Sequence, residues 1–469
     1  MNAPAWQHAI IIGGGASGVL LAYQLLKNPA SDLSVTLIER RPEIGRGIAY
    51  HTGNPEHLLN VRVGNMSALP DEPEHFWRWL CTRPDGPMCP DPYCFVPRRI
   101  YGDYLAGLIE SLTSNGGAAR LAVVQGECVS VQEGPAGVAV TLDDGRQFIG
   151  DLAICATGHD AAAATFHCHV DPWTSLSAVG VDRLATVLIL GSGLTMADYV
   201  LSLLRSGHQG PIVALSRRGL LPSGHRRVDP LRIEEREVPF GASMTVLLRW
   251  FRQRAEAHIA GGGDWRSVID GLRPFTQRLW LQLPDASKRR FLEHARAWWD
   301  VHRHRMAPEV EHRLGEAIAA RRVVVIPGKL SAISPNERGA LVRFRRRACT
   351  ELSELQVGAI VDCTGLVKDP ATSGNPAIRS LLEQGLARVD PLHIGIEIGT
   401  DCAIVARNGS SSRRLFAIGP LTRAAFWEII AIPDIRNQCA ELAARLIERS
   451  GQTGKRRDGQ TSNLRDRAV

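Results

Sequence analysis

The stretch His8-Ala-Ile-Ile-Ile-Gly13-Gly-Gly15-Ala-Ser-Gly18-Val-Leu-Leu-Ala-Tyr-Gln-Leu-Leu26 decides the fold. An apolar run of buried-strand type leads into glycines spaced G-x-G-x-x-G, and a run of helical character follows. Gly13 permits a tight turn, Gly15 lets the backbone approach a pyrophosphate, and Gly18 lets the helix pack close to the strand. The unpaired amides at the helix start, at Ala16 and Ser17, then face the phosphates. A second strand, Ser34-Val-Thr-Leu-Ile-Glu39, ends on a carboxylate 21 residues after Gly18, where it can accept hydrogen bonds from ribose hydroxyls. Such a carboxylate selects an adenosine without a 2′-phosphate, and the bland alternative, a plain strand-to-helix turn, does not explain the terminal acid.

The pattern returns at Thr186-Val-Leu-Ile-Leu-Gly191-Ser-Gly193-Leu194-Thr195-Met-Ala197, followed by the helical run Tyr199 to Arg205. Met196 stands where a third glycine is usual, so a larger side chain must be absorbed between helix and strand. The next strand, Pro211 to Ser216, ends in Arg217-Arg218 instead of an acid, 24 residues after Gly193. Two guanidiniums suit a 2′-phosphate, although arginines at a strand end also serve simply as solvated charges. The contrast with Glu39 assigns FAD to the first motif and NADPH to the second. The fold class expected is α/β, with two Rossmann-like dinucleotide-binding domains and a helical insertion.

Between the motifs, Gly137 to Phe148 predicts a hairpin turning at Asp144-Gly145, which feeds the strand Leu152-Ala-Ile-Cys-Ala156-Thr157-Gly158. A similar ending recurs at Ala359 to Thr364-Gly365. A buried strand that ends in a small polar residue and a glycine lets the chain pass close to a cofactor. The resulting division is a first part of the FAD domain at 1–170, an NADPH domain at 171–330 with an insertion at about 225–323, a second FAD part at 331–449 and a flexible tail at 450–469.

Composition excludes several classes. With 469 residues, 44% hydrophobic and 22% charged, the chain is an ordinary multi-domain globular protein. The net charge of +7 is spread along the chain and not gathered in an aromatic-interleaved block, which argues against nucleic acid. The ten cysteines show no C-x-x-C pair and no zinc-ligand spacing, so reduced buried thiols and no metal are expected. The first motif begins too near Met1 for a signal peptide, and no apolar run approaches the roughly 20 residues of a membrane span. A cytoplasmic, membrane-free protein is the expectation, with homo-oligomer formation left open.

On these motifs the chain resembles the two-dinucleotide-binding-domain flavoproteins, the superfamily of glutathione reductase, thioredoxin reductase and the flavin monooxygenases. It is more closely similar to bacterial FAD/NAD(P)-binding proteins allied to N-hydroxylating monooxygenases. That likeness rests on Gly45-Arg46-Gly47-Ile-Ala-Tyr50-His-Thr52, His57-Leu-Leu59-Asn60-Val-Arg62, Met66-Ser-Ala68, Phe95-Val-Pro97-Arg98, Tyr101-Gly102, Ile418-Gly419-Pro420 and Trp427-Glu428. It covers nearly the whole chain apart from the tail. The resemblance implies that Arg46 and Gly47 run along the FAD pyrophosphate, Leu59 and Asn60 lie near the flavin, and Gly419-Pro420 approaches its ribityl chain. It adds Arg40, Met66, Cys128, Thr157, Gly158 and Gly365 to the cofactor-binding set. Asn60 capping a turn, Arg46 pairing with Glu43, and Trp427 filling the core remain the structural alternatives.

The segment from about 225 to 323 predicts amphipathic helices around Val246 to Phe251, Trp265 to Asp270 and Phe291 to Trp299. The run His302-Arg-His-Arg305 is expected to face solvent or form internal ion pairs, and anion binding is its second reading. The chemistry follows from what is missing. Without a C-x-x-C pair a disulfide reductase is disfavoured, and Phe166 to Trp173 lacks the glycine of the Baeyer–Villiger pattern F-x-G-x-x-x-H. The resemblance implies a monooxygenase that consumes NADPH and molecular oxygen and transfers oxygen from a flavin hydroperoxide to a small amine or amino-acid-like substrate. An NADPH-dependent reductase serving a partner, or a redox-sensing flavoprotein, stays open. No side chain is named as catalytic, because the reactive species is expected to be the flavin itself.

Overall fold

A computed structural model describes residues 6–28, 32–84, 89–114, 119–158, 168–172, 174, 180, 182–364 and 369–462. Both glycine motifs stand at the carboxyl end of a buried parallel strand. His8–Ile12 pairs in parallel with Ser34–Glu39 on one side and Leu152–Cys155 on the other. The six-stranded sheet around it runs Ala403–Val405, Ser411–Ala417, Leu152–Cys155, His8–Ile12, Ser34–Glu39, Leu121–Gln125. Alternation of side chains across the strand sends Ala9 and Ile11 into a core with the helix Ala16–Leu26. Ile10 and Ile12 enter a second core, against Val131, Val138 and Val140 of a three-stranded antiparallel sheet. The predicted hairpin is part of that small sheet, with Val138–Leu142 and Gln147–Gly150 antiparallel and Gly145 at φ 85° in the turn.

The second sheet repeats the plan with seven strands, ordered Leu352–Val357, Gly339–Arg346, Val323–Asn336, Ile212–Ser216, Val187–Leu190, Ala359–Asp362, His169–Val170. Val187 and Ile189 face one core, while Leu188 and Leu190 face another. Met196 is fully buried in the first of these beside Ala197 and Val200, so the missing third glycine is replaced by a filled contact.

Several expectations need correction. The boundary at 330/331 cuts the strand Val323–Asn336, whose first half pairs with Ile212–Ser216 and whose second half pairs with Gly339–Arg346. The second sheet continues to Asp362 and begins already at His169, because Ala359–Asp362 pairs with both Val187–Leu190 and His169–Val170. The insertion is shorter than 225–323. Helix Pro308–Ala319 places Val310, Leu314 and Ala317 in the same core as Val187 and is the crossover helix of the second fold. The inserted part proper runs between Gly224 and Met306, which form a parallel bridge. The expected tail at 450 begins inside the helix Ile432–Ser462. A turn at Asp91 brings the Cα atoms of Cys89 and Cys94 to 5.5 Å, a pairing of two thiols that the sequence reading did not anticipate.

Replacing buried Met196 with alanine should lower stability by about 2–5 kcal/mol, the usual result of emptying a core site. Gly18→Ala should be disruptive for the opposite reason, since an added Cβ would collide with the Gly13 carbonyl oxygen. Urea unfolding of the two variants measures both.

Candidate functional site

Gly13 has φ 110°, and an added Cβ would strike the Ala156 carbonyl oxygen at the end of Leu152–Cys155. The turn therefore lies directly against the neighbouring strand end. Beyond it, the helix Ala16–Leu26 starts with Gly15 as N-cap, no side-chain cap and no acidic residue in its first turn. Beside it Gly15 and Gly47 approach one another so closely that a Cβ on either would sit 3.5–3.6 Å from the other's Cα. An uncapped helix N-terminus flanked by backbone without side chains suits the approach of a pyrophosphate. Glu39 is buried and accepts hydrogen bonds from the Gly14 and Arg41 amides at 2.7 and 3.0 Å. Those bonds fix the carboxylate, and its remaining lone pairs are left for ribose hydroxyls.

These residues open into a cavity of about 560 Å³. At the end beside the first glycine turn it is lined by Gly13, Gly15, Ala16, Ser17, Glu39 and Arg40, with Arg46, Gly47 and Cys128. Arg46 is held there by Asp103 at 2.8 Å and Glu43 at 3.2 Å. Further along come Leu59, Asn60, Met66, Thr157, Gly158 and Pro420, then Leu194 and Thr195 from the second glycine motif. Gly18 and Gly419 act from behind the lining. The first packs on Gly13, and the second leaves room for Ser17 and donates its amide to Gln438 at 2.7 Å. Gly365 lies outside the described residues.

Gly191 repeats the geometry of Gly13, at φ 103° with an added Cβ colliding with the Cys363 carbonyl oxygen. Gly191, Gly193, Arg217 and Arg218 stand apart from the cavity lining, the two arginines just past the end of Ile212–Ser216. Arg217 is exposed there. Arg218, beside it, donates its Nη2 to the His294 carbonyl at 2.9 Å in the insertion.

The far end of the cavity was not legible as a site in the sequence. It is built from Arg62, His225, Asp270, Arg273, Arg303 and His304, with Arg305 beside them. Arg305 holds Asp270 through two bonds of 2.6 and 3.1 Å. Arg303 holds Glu428 at 2.9 Å, and Trp299 donates to the same carboxylate. Burial alone would raise the Glu428 carboxyl, but Arg303 and the hydrogen bonds bring it below its ordinary value. Glu428 also carries φ 67°, a left-handed backbone that is costly for a non-glycine residue. Trp427, half-buried, stacks on Trp280 with ring centres 4.4 Å apart. The run His302 to Arg305 forms internal ion pairs through its two arginines, as first ranked. The one sequence signal for this end was that run.

Burial pushes His225 down to about 4, and burial likewise lowers His304, so both imidazoles are neutral at neutral pH. His225 Nε2 lies 3.0 Å from the Asn60 carbonyl oxygen, joining the root of the insertion to the Leu59–Asn60 part of the cavity lining. Among the described residues no cluster of three His, Cys, Asp or Glu could hold a metal, and no helix is long and apolar enough to cross a membrane.

Two nucleotide folds, with the first cradle opening onto a walled cavity, define the architecture of the two-dinucleotide-binding-domain flavoproteins. Residues 10–160 match the FAD-NAD(P)-binding family. The solved structure of ornithine N-hydroxylase from Kutzneria sp. 744, with reduced FAD, NADP+ and L-ornithine, superposes with TM-score 0.65 at 15% identity, over 95% of this chain and 100% of that one. L-lysine 6-monooxygenase from Pseudomonas syringae gives 0.62 at 17% identity, covering 94% and 99%. Thioredoxin reductase from Lactococcus lactis gives 0.53 at 13%, covering 95% and 99%. No curated protein matches the chain.

The unfolded chain takes up a proton on His225 near 6.5, whereas the folded chain does so only near 4. This contribution to stability is therefore complete above 6.5 and falls as pH is lowered through that window, by roughly 3 kcal/mol at its lower end. His225→Gln, which keeps an N–H for Asn60, should flatten the decline in unfolding free energy between pH 6.5 and 4.

Proposed function

We propose that the protein is an FAD- and NADPH-dependent monooxygenase that hydroxylates the nitrogen of a small amine or amino-acid-like substrate. The observation that carries this reading is the single cavity that begins at the uncapped helix N-terminus beside Gly15 and ends at the buried wall of Asp270, Arg303, His304 and Arg305. A cofactor laid along the first part leaves its ring system facing the charged far end. FAD supplies oxygen activation when it is bound and reduced.

The chain's own residues have separable tasks. The amides of Ala16 and Ser17, beside the close-lying Gly15 and Gly47, would hold the pyrophosphate, and Glu39 the ribose. Arg303–Glu428 and Arg305–Asp270 fix the insertion as a wall that excludes bulk water, which protects reactive oxygen chemistry from unproductive decay. Neutral His225 and His304 add no positive charge to a chamber already lined by arginines, so a substrate amine is admitted more readily without its proton. The neighbours named as ornithine and lysine monooxygenases support the nitrogen-hydroxylating choice. The thiol route is disfavoured because Cys89 and Cys94 do not line the cavity.

NADPH consumed by the FAD-loaded protein should match hydroxylated product when the right amine is supplied. Electron transfer to a protein partner without product would support the reductase instead, and negligible NADPH oxidation with every amine would support a sensor. Trp299→Phe removes the indole N–H from Glu428 and loosens the wall. It should raise peroxide released per NADPH severalfold while FAD stays bound, as read by a peroxide assay beside the flavin absorbance.

A further inference from the structure

Trp298 is 45% exposed, an unusual state for so large an apolar ring in a segment whose other tryptophans are packed. Trp280 stacks on Trp427, and Trp299 donates to Glu428. On the helix Arg296–Arg303, Trp298 instead lies beneath Arg218, whose guanidinium carbon is 5.9 Å from the ring centre. Arg218 follows the strand Ile212–Ser216 directly and is pinned by its bond to the His294 carbonyl. The exposed ring is thereby anchored beside the end of the strand that follows the second glycine turn. That strand end is where the adenosine half of a dinucleotide rests in such folds. Arg217, next to it, is exposed and has no ion pair or hydrogen bond among the described residues.

Resting on the assignment of NADPH to the second glycine motif, we propose that Trp298 is the platform on which the adenine of NADPH stacks. Arg218 orients the ring from its other side, and Arg217 takes the 2′-phosphate. An aromatic face suits adenine because every base presents a π surface, and such stacking contributes roughly 1–3 kcal/mol. The insertion then has a second duty. Its inner surface walls the flavin chamber, and its helix Arg296–Arg303 completes the nicotinamide cofactor's site.

Calorimetric titration of the FAD-loaded protein with two fragments, adenosine 2′,5′-bisphosphate and adenosine 5′-monophosphate, tests this without turnover. Trp298→Ala should weaken both by a similar factor, about five- to a hundredfold, and Trp298→Phe should retain most of the binding. Arg217→Ala should weaken the bisphosphate alone. Undiminished binding of both fragments by Trp298→Ala would overturn the platform while leaving the NADPH assignment standing. If the unaltered protein binds neither fragment, the NADPH assignment and the platform fall together.

Discussion

Everything in this molecule hangs on a backbone contact made twice. At Gly13 the turn lies against the Ala156 carbonyl, and at Gly191 it lies against the Cys363 carbonyl. Only a residue without a Cβ, and free to take a positive φ, lets strand, turn and neighbouring strand end meet so closely. The contact brings the helix N-terminus over the edge of the sheet and brings the chain crossing from the adjacent strand to the same place. In the first fold that crossing supplies Thr157 and Gly158 to the cavity. The two folds differ in what surrounds the contact. The first is followed by a buried carboxylate, and the second by an exposed arginine.

The wall opposite the glycine turn is held mainly by charge. Glu428, just before the last helix, and Asp434, in that helix's first turn, receive Arg303 and Arg273 of the insertion at 2.9 and 3.3 Å. Burying such ions is expensive, and pairing mostly repays that expense without adding much net stability. Their value here is positional, because a paired charge accepts few alternative arrangements. The stacked pair Trp280 and Trp427 and the bond from Trp280 Nε1 to the Ala424 carbonyl at 2.8 Å supply the apolar part of the same junction. Left-handed Glu428 sits in the middle of it, its backbone strained where two otherwise separate parts of the chain are clamped.

How much of this was legible depended on whether the determinant was local. Gly13, Gly15, Gly18 and Glu39 declare their geometry within one strand-turn-helix-strand stretch, and the Asp144-Gly145 hairpin does so within twelve residues. The boundary at 330/331 failed because Val323–Asn336 is one uninterrupted strand serving two partners, and nothing in its own residues marks the change. The partners of Arg218, here His294 and Trp298, were not legible because a long side chain chooses among distant groups that only the folded insertion brings near. The pairing of Cys89 with Cys94 depends on a turn at Asp91 that the C-x-x-C search does not cover. The chamber wall assembles Arg62, Asp270 and His304 from segments far apart in the chain, with no motif among them.

The insertion leaves and rejoins the second fold at almost the same point, since Gly224 bridges Met306, the Met306 amide donates to the Ser223 carbonyl and the His225 amide donates to the Met306 carbonyl. A segment whose ends meet can lengthen, shorten or be traded between lineages at little entropic cost to the scaffold. That freedom is not complete. Its outer attachment is written elsewhere in the gene, in Trp427, Glu428 and Asp434, so an exchanged segment would be accepted only by a chain whose late residues changed with it.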